Sequence, residues 1–332
     1  MGTLFDTYGR EFSYLRLSIT EACNFRCLYC LPDGSQRQVG CGNSRQDAPL
    51  NVAEIENLIL GFADLGFRKV RLTGGEPTLR PEIVEIVRKI ADIPAITTLA
   101  LTTNGHRLSE LAGPLRRAGL NVINVSMDSL DSTRFQEITG SRLLGQVRQG
   151  VEEAVRVGIG RVKINVVLLR RSARQNLKDF MEWVRETPIR VRFIELMQTQ
   201  DNGAFFQQEH LSGDEFRSDM EALGWKEQAR EALDGPAREF CHPGFVGRLG
   251  IISAYSHNFC GPCNRLRVSS RGKLKLCLFG EKEYSLRHLL QSPEQREELV
   301  CAVRSRIGEK ASSHFLGDGI YGSTKHLAAI GG

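Results

Sequence analysis

The sequence predicts an α/β protein whose main body is an incomplete barrel of six strand–helix units. Strand-like and helix-like runs alternate over the first 200 residues, which is typical of right-handed βα units and a parallel sheet. Six such units fall short of the eight that close a barrel. Polar side chains also recur at every second strand position, although the interior of a closed barrel is filled by branched apolar residues.

The strands are predicted at residues 13–20, 69–73, 98–102, 121–126, 162–168 and 191–196. Apolar residues at a helical period predict helices at residues 52–65, 83–90, 147–155 and 177–183. Residues 200–245 are predicted as a polar connection with one short helix, residues 246–285 as short strands, and the tail from residue 286 as helical at first. We therefore expect two units, a partial barrel at residues 1–225 and a C-terminal region at residues 226–332.

The polar strand residues predict the nature of the barrel interior. Helices cover the outer face of a parallel barrel, so that face must be apolar and the polar face must point inward. The inward set is Arg16, Ser18, Thr20, Lys69, Arg71, Thr73, Asn124, Ser126, Asp128, Lys163 and Asn165. A polar, partly cationic interior indicates a large charged ligand. The alternative is that some of these residues lie on exposed strand ends.

Composition excludes several classes of protein. The formal net charge of +5 is mild, whereas nucleic-acid binders carry a concentrated basic face, so we expect neither a nucleic-acid nor a membrane partner. No stretch is long and apolar enough to cross a bilayer, and residues 1–17 lack an export signal. Nine cysteines in such a chain indicate a reducing, cytoplasmic compartment, where clustered thiols bind metal or do redox chemistry.

The first cysteine group has the spacing C-x3-C-x2-C and consists of Cys23, Cys27 and Cys30. It follows the first predicted strand, at the end where parallel-barrel active sites lie. Three thiolates can each bind one iron of a 4Fe–4S cube and leave the fourth iron open. The alternatives are a zinc site, which needs four closed ligands, and a thiol cluster without metal.

The segment CNFRCLYC resembles the cluster motif of radical S-adenosylmethionine (radical SAM) enzymes. The resemblance implies a barrel of the radical SAM type, with SAM bound to the open iron. One electron from the cluster would then cleave SAM to methionine and a 5′-deoxyadenosyl radical. The segment from Leu72 to Pro77, LTGGEP, looks like a second motif of the same family. By the resemblance, the SAM-binding residues are Tyr29, Gly75, Glu76, Ser126 and Met197.

A second cysteine group near the C-terminus has the spacing C-x2-C-x13-C and consists of Cys260, Cys263 and Cys277. It again offers three thiolates, which suits a second open 4Fe–4S cluster. Zinc is an equal alternative on spacing alone, with His257, Cys241 or Cys301 as the fourth ligand.

The surrounding sequence SHNFCGPCNRLRVSSRGKLKLCLFG resembles the GTP 3′,8-cyclase family, the radical SAM enzymes that begin molybdenum cofactor biosynthesis. The resemblance implies that the guanine of GTP ligates the open iron of the second cluster and that the product is 3′,8-cyclo-7,8-dihydro-GTP. It also implies cyclic pyranopterin monophosphate synthase as the downstream enzyme and a flavodoxin or ferredoxin as reductant. A homodimer is the assembly we consider.

The family positions for GTP binding are Arg16, Arg71, Thr102, Lys163, Arg265, Leu266 and Arg267, with Arg192 as a further candidate. Arginine forks match phosphate oxygens, so these cations suit a triphosphate. Arg16 and the terminal Gly331 and Gly332, which resemble a paired-glycine tail reaching the active site, are the predicted catalytic residues.

The loop at residues 33–50, with Cys41, departs from the family pattern. Another two-cluster radical SAM enzyme that modifies a peptide is the alternative function. A non-catalytic zinc-binding module is the third hypothesis.

Overall fold

The computed structural model describes residues 2–30, 48–229 and 235–322. Its strands are β1 (Leu4–Phe5), β2 (Glu11–Phe12), β3 (Tyr14–Ser18), β4 (Lys69–Thr73), β5 (Thr98–Thr103), β6 (Val122–Ser126), β7 (Arg161–Leu168), β8 (Arg190–Glu195), β9 (Lys226–Glu227), β10 (Arg238–Cys241), β11 (Arg248–Ile252), β12 (Arg265–Val268), β13 (Lys273–Lys275) and β14 (Tyr284–Ser285). Its α-helices are α1 (Val52–Asp64), α2 (Ile83–Ala91), α3 (Leu108–Arg117), α4 (Ser132–Thr139), α5 (Leu144–Arg156), α6 (Ala173–Glu186), α7 (Gly203–Glu209), α8 (Gly213–Ala222) and α9 (Arg296–Ile307).

Within the described residues, twelve strands form one sheet in the order β14-β13-β12-β3-β4-β5-β6-β7-β8-β11-β10-β9. The strands from β12 to β11 in this order are parallel, and antiparallel strands extend both edges. In this sheet β11 and β12 do not pair with each other, so the barrel is open. The six predicted strands are β3 to β8, and the prediction of an incomplete six-unit barrel is confirmed.

The C-terminal residues differ from the prediction in how they join this sheet. β12 pairs with β3 and β11 pairs with β8, so two late strands extend the parallel part at both sides. Residues 200–245 hold the helices α7 and α8 and the strands β9 and β10, where we expected one short helix. These pairings join residues far apart in the chain, so no local sequence pattern predicts them. The division near residue 225 stays a prediction.

The tail packs against the first helix of the barrel. Gly61 of α1 leaves room for α9, because a Cβ there would lie 2.4 Å from the Leu299 side chain. Arg287 pairs with the buried Glu54 of α1 at 3.0 Å, and Glu54 also closes a capping box with Asn51. These contacts fix the segment that follows the second cysteine group against the body of the protein.

Each central strand separates two environments. The side chains of Leu15, Leu17, Val70 and Leu72 are fully buried in the core under the helices. Of the alternating polar residues of the same strands, Arg16, Lys69, Arg71 and Thr73 line a cavity on the inner side of the curved sheet, whereas Ser18 and the following Thr20 are buried outside its lining. The prediction of a polar, cationic interior is therefore confirmed. None of the helices in the described ranges has the length and apolar character that crossing a membrane requires.

Candidate active site

One cavity inside the curved sheet is lined by both cysteine groups. The first triad (Cys23, Cys27 and Cys30) follows β3, so it lies at the carboxyl end of the parallel strands. The second triad (Cys260, Cys263 and Cys277) lies at the opposite end, because two of its members precede β12, which is parallel to β3. A molecule in the cavity can therefore contact both triads at once.

The loop of the first triad rests on the two glycines of the LTGGEP segment. Gly75 donates to the Thr20 carbonyl at 2.9 Å, and a Cβ on Gly75 would lie 2.2 Å from the Ala22 carbonyl oxygen. Gly74 has φ +142°, in the region that favours glycine. These glycines let the two loops approach each other closely, which sets the position of the triad.

The first triad suits an iron–sulfur cluster better than free thiols. Burial raises the pKa of the Cys23 thiol to about 11, and burial together with Asp128 raises the pKa of Cys27 well above its usual value. Bound iron favours the thiolate form and so removes this penalty. The donor set is three thiols on one short loop, which fits a 4Fe–4S cube with one open iron.

The Glu76 side chain lies behind the cavity wall. Its carboxylate is fully buried and accepts hydrogen bonds from Thr78, from the Thr103 hydroxyl at 2.7 Å and from the Asn104 amide at 2.6 Å. It therefore holds the ends of β4 and β5 together behind the cavity wall. Its predicted contact with the SAM ammonium group stays a prediction.

Tyr29, between Cys27 and Cys30 in the loop of the first triad, lines the cavity, and its predicted contact with SAM stays a prediction. Its hydroxyl donates to Asp128 Oδ2 at 2.8 Å, and Asp128 Oδ1 accepts from the Val167 amide at 2.8 Å. Burial raises the pKa of Asp128 to about 6. Ser126 and Met197, at the ends of β6 and β8, line the same part of the cavity.

A row of arginines crosses the floor of the cavity between the triads. Arg267, Arg16 and Arg71 stand directly opposite one another on β12, β3 and β4. Arg71 Nη1 donates to Thr102 Oγ1 at 3.1 Å, and its Nε donates to the Tyr14 hydroxyl. Burial and the neighbouring Arg267 lower the pKa of Arg16 well below its usual value. Such a row is costly without an anion.

Lys163 and Arg192 complete the row of basic side chains in the cavity. Burial, Arg192 and Arg71 lower the pKa of Lys163 to about 6. Arg192 Nη2 donates to Glu239 at 2.6 Å, while Arg192 Nε and Arg267 Nη1 are buried with no hydrogen-bond partner among the described residues. Unpaired buried donors that line a cavity indicate an acceptor-rich ligand. The oxygens of a triphosphate fit them.

The second triad lies in a cationic setting. Burial would raise the pKa of Cys263, but Arg265 and Lys310 outweigh it and lower that pKa to about 7. Arg265 also lies 5.6 Å from the centre of the Phe259 ring. A lowered thiol pKa favours the thiolate, the form that binds metal.

The structure gives the zinc alternative little support. Cys301 and His257 are exposed, and Cys241 lies on β10, near the other edge of the sheet. A tetrahedral zinc site holds its sulfurs about 3.8 Å apart, given a Zn–S distance of about 2.3 Å. In the described part of the chain, no three His, Cys, Asp or Glu side chains are gathered as one ion requires. In a 4Fe–4S cube each cysteine binds a different iron, so the sulfurs of the second triad need not gather around one ion.

Leu266 and the chain end differ from the other predicted site residues. The Leu266 side chain is fully buried in the core, because it alternates with the inward Arg265 and Arg267 along β12. Only its backbone can face a ligand. Gly331 and Gly332 lie outside the described residues, as does Cys41.

The cavity wall includes residues that sequence reasoning did not single out, among them Tyr14, Phe279, Lys310 and His314. Tyr14 extends the inward set of β3 by one step, so the alternation contained a signal for it. The other three lie outside the six strands and carry no local signal.

The fold and the open triad define a radical SAM enzyme, and the sequence comparisons agree. The Radical SAM superfamily profile matches residues 17–184, and the Molybdenum Cofactor Synthesis C profile matches residues 189–316. The chain is 49% identical over 332 residues to a protein of Synechococcus elongatus called GTP 3′,8-cyclase, covering 100% of both chains. It therefore belongs to the GTP 3′,8-cyclase family of radical SAM enzymes. A GTP 3′,8-cyclase of Vibrio cholerae is 48% identical over 327 residues, covering 98% of this chain and 97% of that one.

Solved structures share the fold. SuiB of Streptococcus suis, bound to S-adenosylmethionine, has a TM-score of 0.62 at 16% identity and covers 90% of this chain and 69% of its own. At this identity the likeness concerns the architecture, an open parallel sheet with helices on its outer face.

Proposed function

We propose that the protein is a radical SAM GTP 3′,8-cyclase, which converts GTP to (8S)-3′,8-cyclo-7,8-dihydroguanosine 5′-triphosphate in the first step of molybdenum cofactor biosynthesis. The observation that carries the proposal is the single cavity that joins the two cysteine triads, with buried arginines and a lysine between them. A nucleoside triphosphate has a base at one end and a polyanion at the other, and both find matching chemistry there.

The first triad would hold a 4Fe–4S cluster and SAM, and the second triad a 4Fe–4S cluster with an open iron for the guanine. When bound, the first cluster and SAM would supply the radical chemistry that the cyclisation of GTP requires. Tyr29 would orient SAM, because Asp128 fixes its hydroxyl. The buried side chains of Thr73, Asn124 and Thr103 line the cavity and would limit the access of bulk water to it.

The cations would orient GTP. Arg71, Lys163 and Arg192 would bind the phosphates, and Arg192 is held in place by Glu239 at 2.6 Å. Arg16 would donate to the substrate from the middle of the cavity, between Arg267 and Arg71. Burial and the neighbouring Arg267 lower the pKa of Arg16, so an anionic substrate beside it would stabilise the charged guanidinium. The Gly331–Gly332 tail stays part of the proposal on resemblance.

The protein partners that we propose follow from family membership. The product would pass to cyclic pyranopterin monophosphate synthase, and a flavodoxin or ferredoxin would supply electrons. The clustered thiols support a reducing compartment, the cytoplasm. A homodimer is the proposed assembly, which sedimentation of the purified chain would test.

A peptide-modifying enzyme is the main competing function, but its substrate would have no need of the inward Arg71 and Lys163. The test incubates reconstituted protein anaerobically with SAM and dithionite. Three parallel samples contain GTP, ATP or no nucleotide. We expect deoxyadenosine and the cyclised nucleotide with GTP alone. Equal deoxyadenosine with and without GTP would contradict the proposal.

A matched pair of cysteine variants extends this test. Cys277→Ala removes a ligand of the second triad, and we expect the cyclised product to be lost. Cys301→Ala changes an exposed cysteine on α9 and should leave product formation at the wild-type level.

A further inference from the structure

A buried lysine from the tail of the chain reaches the second triad. Lys310 follows α9, lines the cavity, and is only 4% exposed. Its ammonium group donates to the carbonyl of Leu276, the residue before Cys277. The same group lies 5.5 Å from the centre of the Phe12 ring. None of the GTP or SAM positions carried over from the family includes this residue.

Side chain–backbone hydrogen bonds hold the segment that carries Lys310 (residues 310–314, the tail segment) next to the second triad. Arg10 donates to the carbonyls of Ala311 at 2.6 Å and Ser312 at 2.8 Å, and more weakly to that of Cys260 at 3.4 Å. His314 bonds the Ala254 carbonyl through Nε2 at 2.9 Å. The ammonium position is therefore set by the fold.

His314 itself serves this attachment. Its Nδ1 accepts from the Leu316 amide at 3.1 Å, so the proton of the neutral ring lies on Nε2 and is donated to Ala254. Both ring nitrogens are occupied by the backbone. His314 therefore has a structural role in holding the tail segment in place. Lys310 is the residue of that segment whose charged group can act on the second triad.

The charges around Lys310 point to the thiolates as its partners. In the described part of the chain, the charged groups with the largest effect on its pKa are Cys263, Cys277, Arg10 and Arg267. Burial lowers the pKa of the ammonium group, and the two cysteines oppose that change. A buried cation requires compensating negative charge. Thiolates that carry a cluster provide it.

We propose that Lys310 is a positioning residue for the second cluster, whose charge offsets that of the thiolates and raises the reduction potential of the cluster. This inference rests on the proposed function, because it requires an iron–sulfur cluster on the second triad. A fixed cation next to a cluster stabilises the reduced form, which carries one more negative charge.

The test compares three variants of the full-length reconstituted protein. Lys310→Met removes the charge and keeps the length of the side chain, and Lys310→Arg keeps the charge. Lys282→Met is the matched control, because Lys282 is exposed and pairs with Glu309, the neighbour of Lys310. Iron content, iron loss to a chelator and the midpoint potential of each cluster, followed by electron paramagnetic resonance, are measured for each protein.

We expect Lys310→Met to shift the potential of the second cluster to more negative values and to speed its iron loss, with the first cluster unchanged. Lys310→Arg should restore the potential, and Lys282→Met should match wild type. Wild-type values in Lys310→Met would overturn the inference. If Lys310→Met does not fold, Lys310→Gln takes its place, and the same potentials decide.

Failure of the proposed function and failure of this inference give different experimental results. About four irons and one zinc in the wild-type protein, in place of about eight irons, would overturn the second-cluster part of the proposed function and this inference together. About eight irons with an unchanged potential in Lys310→Met would overturn the inference alone.

Discussion

Arg16 and Arg71 stand directly opposite each other on the neighbouring parallel strands β3 and β4, and both side chains enter the cavity between the two triads. Arg267 opposes Arg16 from the other side. Like charges in directly opposed positions destabilise a sheet. The ligand-free fold therefore carries an electrostatic cost, and a polyanion bound beside these arginines would relieve it.

Replacing Arg71 by alanine should weaken GTP binding about 10- to 100-fold, because a charge-assisted hydrogen bond contributes about 1.5–3 kcal/mol. The variant also loses the bond from Arg71 to Thr102 that fixes the guanidinium. Anaerobic titration calorimetry with GTP measures the effect. Arg174→Ala is the control, because that side chain is 83% exposed and pairs with Asp219 at the surface. Equal GTP affinities in the Arg71→Ala and Arg174→Ala variants would count against the assignment of Arg71 to the GTP site.

GTP binding near pH 7.5 should take up a proton at Lys163. The folded-state pKa of about 6 lies below the usual 10.5, so between these values the unfolded chain holds a proton that the folded chain lacks. For this group, stability of the ligand-free protein is lowest below pH 6 and rises with pH up to about 10.5. A triphosphate restores the charge and hence raises the pKa.

Calorimetry in buffers of different ionisation enthalpy measures this uptake. We expect Lys163→Met to lose most of it and Arg174→Ala to retain it. The same proton uptake in wild type and Lys163→Met would show that Lys163 keeps its charge in the free protein.

Replacing Gly75 by alanine should empty the first triad. The new Cβ would lie 2.2 Å from the Ala22 carbonyl oxygen and would push the cysteine loop away from β4. We expect about four of the eight irons to be lost, together with SAM binding. Gly145→Ala, in α5 with nothing within 4 Å of its Cβ, should keep both. Full iron content in Gly75→Ala would contradict the role given to the close approach of the two loops.

Replacing Tyr29 by phenylalanine should weaken SAM binding about 2- to 10-fold and leave GTP binding unchanged. The change removes only the hydroxyl that donates to Asp128, worth about 0.5–1.5 kcal/mol. Equilibrium dialysis of SAM measures it. Tyr284→Phe removes a comparable bond to Glu309 at the surface and serves as the control. If the GTP affinity falls as much as the SAM affinity, the assignment of Tyr29 to the SAM site is contradicted.

The local features of the fold could be predicted from the sequence, and the long-range ones could not. Alternation along β3, β4 and β7 indicated which side chains enter the cavity, and Arg16, Arg71 and Lys163 do so. Spacing showed the two triads but not that one cavity joins them. That arrangement depends on the pairing of β12 with β3, which no local period specifies.

The positions of two individual residues also could not be predicted from local sequence. Glu76 lies in the motif but is buried behind the cavity wall, because strand ends that the sequence does not juxtapose donate to its carboxylate. Lys310 lies in no motif, and its proposed role depends on the packing of the tail segment against the second triad. Both positions are set by tertiary contacts.

The central claim is that the second triad holds a 4Fe–4S cluster whose open iron binds GTP. The most direct measurement uses a variant in which Cys23, Cys27 and Cys30 are all alanine, so that only the second triad can carry iron. Its reduced electron paramagnetic resonance spectrum is recorded with and without GTP and with SAM as the control ligand. The account predicts about four irons per chain and a spectrum that changes with GTP and not with SAM. Zinc in place of iron, or a spectrum that GTP leaves unchanged, would contradict it.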